Sequence, residues 1–164
     1  MEQIAASAYL RHSDIERFWS KVEKSNECWT WTAGKDRHGY GQFHIRRKNW
    51  RAHRVSFLIQ KGYLPEGMFL DHICHNRACV NPEHLRPVTN KQNGENRAGL
   101  DRNNSSGVRG VYWNKQDKKW KATVYNNLKP VHVGCFSSIE EAETAVIEMR
   151  NKLFTHNDLD REHA

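Results

Sequence analysis

The chain is short of acidic residues, of cysteine and of long apolar runs. Asp and Glu number 19 against 26 Lys and Arg, which leaves a formal charge of +7 and a pI near 9.4. That balance disfavours a basic partner and favours a polyanion, because Lys and Arg that neutralise phosphates release counterions. No stretch approaches the roughly 20 apolar residues of a membrane span, and the amino terminus lacks the apolar core of a signal peptide, so the expectation is a cytoplasmic protein that is neither secreted nor membrane-bound. There are no internal repeats or low-complexity tracts. Only four cysteines are present in 164 residues, too few for a densely disulfide-bonded scaffold, and none stands in the C-x-x-C spacing of thiol redox chemistry. A chain of this length holds one ordinary domain or two small ones, each short of core and in need of a staple.

The cysteines that are present supply one. Cys74, Cys79 and His84 are spaced C-x4-C-x4-H, and Cys28 lies upstream. Structural zinc sites are closed four-ligand cages of Cys and His, and Cys28, Cys74, Cys79 and His84 make such a set. Cys135 is left over, in the apolar run Val131-His-Val-Gly-Cys-Phe136, where a small buried residue in a strand is expected. His72, two residues before the first clustered ligand, is then available for chemistry. Phosphodiester hydrolysis needs a base for the attacking water and positive charge for the leaving oxygen. An imidazole titrating near neutrality suits the first task. Asp71 and Asn93 offer the hard oxygen ligands that Mg2+ prefers for the second.

Local patterns set the expected elements. Ser13-Asp-Ile-Glu16 reads as a capping box opening a helix to about Lys24. Cys28 to Trp31 and Tyr40 to Ile45 read as strands, Arg47 to Asn49 as a turn, and about Ala52 to Lys61 as a helix stopped by Gly62. Met68 to Cys74 reads as a strand, and Thr89-Asn-Lys-Gln92 as a second capping box opening a short helix that carries Asn93 and ends by Gly99. Asp101 to Gly107 is polar and aperiodic. Beyond it Val108 to Trp113, Trp120 to Tyr125 and Val131 to Phe136 are short strands, followed by a helix capped by Ser138 with Glu141. Alternation puts Trp120, Ala122 and Val124 on one face and Lys121, Thr123 and Tyr125 on the other, a mixture suited to phosphates and base edges.

The run containing Asp71, His72, Cys74, His75-Asn76, Cys79, Asn81-Pro82, His84-Leu85 and Asn93 resembles the HNH, or ββα-metal, nucleases, and among them the His-Cys box homing endonucleases. Cys28-Trp29, Tyr40-Gly41 and His53-Arg54 extend the likeness over residues 28 to 97. The resemblance implies that His72 is the general base, that Asp71 and Asn93 hold a catalytic Mg2+ or Mn2+, and that Cys28, Cys74, Cys79 and His84 bind structural Zn2+. It also implies an arginine at the leaving group, for which Arg46, Arg47, Arg51 and Arg54 are candidates and the hairpin pair Arg46 and Arg47 is preferred.

Ser106-Gly-Val-Arg-Gly-Val-Tyr-Trp113, Trp120-Lys-Ala122, Val133-Gly-Cys-Phe136 and Ser138 to Ala142 resemble an AP2 domain, in which a three-stranded sheet backed by one helix reads DNA. That resemblance implies DNA contacts from Arg109, Trp113, Thr123, Tyr125 and His132, with Lys121 added by the alternation. Val111 and His132 depart from the plant members, so the likeness implies no particular target sequence.

The expected protein is α+β: a zinc-stapled ββα-metal nuclease domain with an N-terminal helix over residues 1–99, a linker over 100–106, an AP2-like domain over 107–157 and a tail over 158–164. Its expected activity is metal-dependent endonuclease cleavage of double-stranded DNA at a specific site, as in homing endonucleases of phages and mobile elements. A double cut from one active site requires a homodimer or two successive nicks. No protein partner is identifiable. The alternative is a zinc-stabilised regulator that binds specific DNA without cutting it.

Overall fold

A computed structural model describes residues 4–5, 10–97 and 99–162. The elements run β1 (Ile4–Ala5), α1 (His12–Trp19), β2 (Val22–Glu23), β3 (Thr30–Trp31), β4 (Gln42–Ile45), β5 (Lys48–Arg51), α2 (Ala52–Lys61), β6 (Tyr63–Leu64), β7 (Phe69–His72), a 3-10 turn (Pro82–His84), β8 (Leu85–Val88), α3 (Asn90–Glu95), β9 (Val111–Asn114), β10 (Lys119–Asn126), β11 (Lys129–Phe136), α4 (Ile139–Leu153) and α5 (Asp158–Glu162). They divide into two units, Met1–Asn90 and Lys91–Ala164. The division falls before α3 has finished, whereas the sequence reading put its linker at 100–106. Among the described residues no helix is long and apolar enough to cross a membrane.

The first unit is built from two-stranded antiparallel ladders, β1 with β6, β2 with β3, β4 with β5 and β7 with β8, around one aromatic core. Phe18 and Trp31 are both fully buried, and the Phe18 ring meets those of Trp31 and Phe43 at centroid distances of 5.2 Å. Gly41 is what lets Trp31 in: a Cβ there would stand 2.6 Å from the indole and 2.9 Å from Ala52. Helix α2 lays Val55 and Leu58 into this core and stops at Gly62, whose φ of +81° permits the left-handed turn. Helix α1 differs from expectation. Its N-terminus lies two residues earlier, with Asp14 accepting from the Arg11 amide at 3.2 Å, and it ends at Trp19 because Val22 and Glu23 pair with Trp31 and Thr30. Strand pairing displaced the helical periodicity there.

The second unit is an antiparallel sheet in the order β11-β10-β9 with α4 on one face. Val111, Ala122 and Val124 pack there with Ala142, Val146 and Phe154. Ser138 caps α4 by accepting from the Glu141 amide while Glu141 accepts from the Ser138 amide. A register shift at Ala122/Thr123 leaves Val133 without a partner and sets Thr123 opposite His132, as a β-bulge does; Cys135, paired with Lys121 on the far side of the shift, is exposed and not buried as expected.

Candidate metal centre and nucleic-acid interface

Cys28 reaches the clustered ligands through backbone pairing. The Trp31 amide donates to Ala78 O at 2.9 Å and the Val80 amide to Trp29 O at 2.7 Å, with Thr30 bridged to Cys79. Asn81 caps the turn that carries His84, accepting from the Glu83 amide, and its amide group donates to Glu27 O. Ser56 of α2 donates to Val80 O at 2.5 Å, fastening the loop to the core. The result is a set of ligand atoms from Cys28, Cys74, Cys79 and His84 within 4.8 Å of one another. His84 Nδ1 lies 3.7 Å from both Cys28 Sγ and Cys79 Sγ, close to the S···N spacing of about 3.6 Å implied by tetrahedral Zn–S and Zn–N bonds. Hydrogen bonding from Cys79 pulls the Cys74 thiol down to about 4, and the same proximity to Cys74 pushes Cys79 up. Three thiols this close cannot all ionise without a cation among them. The cluster can therefore hold a metal, and its donors are those of a structural zinc site.

His72 ends β7 with 6% of its surface exposed. Its Nε2 stands 3.0 Å from Cys79 O. A carbonyl only accepts, so Nε2 carries the proton and Nδ1 keeps the lone pair. Burial lowers the imidazole pKa. His53 packs edge-on against His72 at 4.7 Å, and Tyr40 lies 5.9 Å away. Asp71 pairs across β7–β8 with Arg86, whose guanidinium donates to Asp71 Oδ2 at 3.1 and 3.3 Å. Arg86 was missed in the sequence because its register opposite Asp71 is a property of the ladder.

The arginine candidates separate. Arg46 and Arg47 form the β4–β5 turn, since Ile45 pairs with Lys48, and both have positive φ, 47° and 64°. Arg51 sits at the other end of β5, paired with Gln42, about 10 Å from the turn along the strand. Its guanidinium lies 4.3 Å over the Tyr40 ring and 2.6 Å from Asp36. Arg51 thus joins the Tyr40–His53–His72 cluster through Tyr40. Arg54 is half-buried. Asn93 is half-buried on α3, in the second unit.

In the second unit Tyr112 faces Lys121 across the ladder, and Thr123 faces His132. These residues, with Tyr125 and Pro130, line an open depression of about 610 Å³ on the sheet face. Two sequence expectations need correcting. Trp113 pairs with Trp120 and stacks edge-on against it at 5.1 Å, which puts it on the side of Val111 and Ala122; Tyr112 occupies the place expected of it. Arg109 lines one end of the depression, but its guanidinium is committed to backbone, donating to the carbonyls of Gly94 at 2.9 Å and of Glu95 and Arg97 at 3.0 Å.

Residues 51–95 match the HNH endonuclease family. The chain is 36% identical to Protein 7.7 of Escherichia phage T7 over 69 residues, 42% of this chain and 53% of that protein. It is 37% identical to Protein 2.8 of the same phage over 86 residues, 51% of this chain and 56% of the relative. Protein 3.8 of phage T7 is 32% identical over 88 residues, 54% of this chain and 69% of the relative. The chain thus spans just over half the length of the first two relatives and over two thirds of the third. No solved structure matches.

Proposed function

The chain belongs to the same family as Protein 3.8 of Escherichia phage T7 and carries an HNH endonuclease domain at residues 51–95, and from that premise we propose that it is a phage-borne, metal-dependent endonuclease that cuts double-stranded DNA at a specific site, in the manner of a homing endonuclease. One observation carries the reading. His72 donates through Nε2 to the carbonyl of Cys79, itself in the Cys3His cluster, and so turns the basic Nδ1 to its free side. In this mechanism Nδ1 takes the proton of the attacking water. Cys28, Cys74, Cys79 and His84 would hold Zn2+, which would fix Cys79 and hence His72 in place. Asp71 and Asn93 would hold Mg2+ or Mn2+, Asn93 by sequence likeness alone, and the ion would supply positive charge at the leaving oxygen. The Asp71 carboxylate is an oxygen donor of the right kind, and it is paired here with Arg86, so a divalent ion bound there would share or displace that guanidinium. Arg51 is the arginine best supported as a phosphate-binding group, ahead of Arg46 and Arg47, because of its stacking on Tyr40.

The second unit is proposed to be an AP2-like reader in which Tyr112, Lys121, Thr123, Tyr125 and His132 present cations, hydroxyls and rings to duplex DNA. Incubating the protein with long duplex DNA and Mg2+, then sequencing the new ends, tests the whole reading. Recurrent termini are expected. Scattered termini would remove site specificity, and the absence of new termini with DNA still bound would favour a regulator that binds without cutting.

A further inference from the structure

Between the ligand cysteines Cys74 and Cys79 stand residues 75–78, which lie outside the ligand set. Their backbone is held closely. The His75 amide donates to His72 O at 3.0 Å and the Cys79 amide to Asn76 O at 3.0 Å, while Asn76 Oδ1 accepts from the Ala78 amide at 3.0 Å, a side-chain turn of the kind that sets a short loop. Arg77 sits inside this turn with its side chain exposed.

Arg77 reaches back to an earlier loop of the same unit. Its Nη1 donates to His38 O at 3.2 Å, and its guanidinium carbon lies 5.6 Å from the centre of the Tyr40 ring. Arg51 approaches that ring at 4.3 Å and pairs with Asp36 at 2.6 Å. Residues 36–40 therefore hold both guanidinium groups, one by a carboxylate and one by a carbonyl. The segment is itself tied together: Asp36 Oδ1 accepts from the His38 amide at 2.8 Å and the Tyr40 amide at 3.0 Å, and the Asp36 amide donates to Tyr40 O at 2.9 Å. Two cations at one ring repel each other. Asp36 meets the charge of Arg51, whereas Arg77 forms no ion pair among the described residues. The Tyr40 ring lies 5.9 Å from that of His72, so this unmet charge stands one ring away from the base.

We propose that Arg77 and Arg51, steadied by Tyr40, clamp one backbone phosphate of the DNA beside His72, so that the loop between the cysteine ligands is part of the substrate site as well as of the metal cage. This rests on the reading of His72 as the base of a nuclease. A phosphate suits the pair because each planar guanidinium carries five N–H donors in a fork that matches phosphate oxygens, and only one or two are spent on the loop. Its negative charge also removes the repulsion between the two cations.

The test uses the full-length chain as Arg77→Ala, Arg77→Lys, Arg51→Lys and the double variant Arg51→Lys with Arg77→Ala, at zinc content and circular dichroism matched to wild type. Binding to a short duplex of random sequence is measured in Ca2+ over a range of salt, and cutting of plasmid DNA is followed in Mg2+. Arg77→Ala should lower the slope of log binding constant against log salt by about one, the mark of one lost phosphate contact, and slow cutting by about tenfold or more. Arg77→Lys keeps the charge without the fork and should restore the slope but not the full rate. The double variant should lose less binding than its two single variants together, since both groups serve one phosphate. An unchanged slope with only a lowered melting temperature would make Arg77 a brace for the loop and overturn the proposal, as would additive losses in the double variant. Should wild type bind DNA and cut nothing, the nuclease reading fails on its own, and the slope and the double variant still decide whether one phosphate is clamped.

Discussion

His53 is the residue whose charge state the fold controls most strongly. It is 5% exposed, and burial, then the charges of His72, Arg54 and Arg51, drive its pKa well below 6.5, with only Asp36 opposing. Tyr40 and His72 close the ring contacts around it. The folded state therefore keeps His53 neutral while the unfolded chain takes up a proton below about 6.5. Stability from this site is complete above pH 6.5 and is lost as the pH falls toward the depressed folded value. Thermal melts between pH 7.5 and 5 should show the melting temperature dropping with acid, and His53→Gln should flatten that slope; an equal slope in the variant would remove His53 as the cause. Gly41 gives a second residue-level expectation. Gly41→Ala crowds Trp31 and Ala52 and should cost about 1–3 kcal/mol in denaturant titration. At this scale Cys74, Cys79 and His84 were legible because their spacing is local, whereas Cys28 joins them only through the pairing of Trp29 and Trp31 with the ligand loop. The tautomer of His72 was not legible, because it depends on a carbonyl seven residues away.

Among the elements, two hairpins carry turns that do not suit their residues. Arg46 and Arg47 join β4 to β5, and Asn127 and Leu128 join β10 to β11, all four with positive φ between 47° and 64°. Two-residue turns of this hand favour Asn-Gly. Leu128 is also 97% exposed, so it gains nothing from packing in return. Leu128→Gly should stabilise the second unit by about 1 kcal/mol, read as a higher melting temperature with unchanged zinc content; no gain would mean that the turn is not strained. Helix α2 was readable because its apolar residues run up to the stop glycine Gly62, and helix α4 because the Ser138 cap precedes its apolar stripe. The face occupied by Trp113 was not, since the cross-strand pairing with Trp120 decides it and no single strand encodes that partner. Arg109 looked like a DNA contact for the same reason: its α3 carbonyls are 12 to 15 residues back in the chain.

For the molecule as a whole, the first unit joins its aromatic core to a Cys3His cluster that fastens the irregular loop after β7. The loop from Ile73 to Asn81 contains no long helix or strand and is tied down by backbone bonds to Trp29 and Trp31 and by the four ligands. Metal analysis should find one zinc per chain, lost in Cys74→Ser. Removing zinc with a strong chelator should unfold the first unit, since structural zinc contributes on the order of 10 kcal/mol in small folds, while the β9–β10–β11 sheet with α4, which has its own core, keeps its structure. Retained first-unit structure after complete removal would contradict this. The division into two units was visible as a change of pattern, from clustered metal ligands to three short strands and a helix. Its position was not, because the polar segment after Gly99 looks like a linker, whereas the long-range bonds of Glu95 and Asn96 tie α3 to the C-terminal segment.

His72, held by Cys79 O, is proposed to activate water for DNA hydrolysis. The direct measurement is cleavage of supercoiled and linear DNA by wild type and His72→Ala, with and without Mg2+, at matched zinc content. Mg2+-dependent cutting by wild type is expected, with a loss of at least about a hundredfold in the variant and DNA binding retained. Equal cutting by both proteins, or bound but intact DNA in every lane on a substrate drawn from the cognate phage genome, would contradict it.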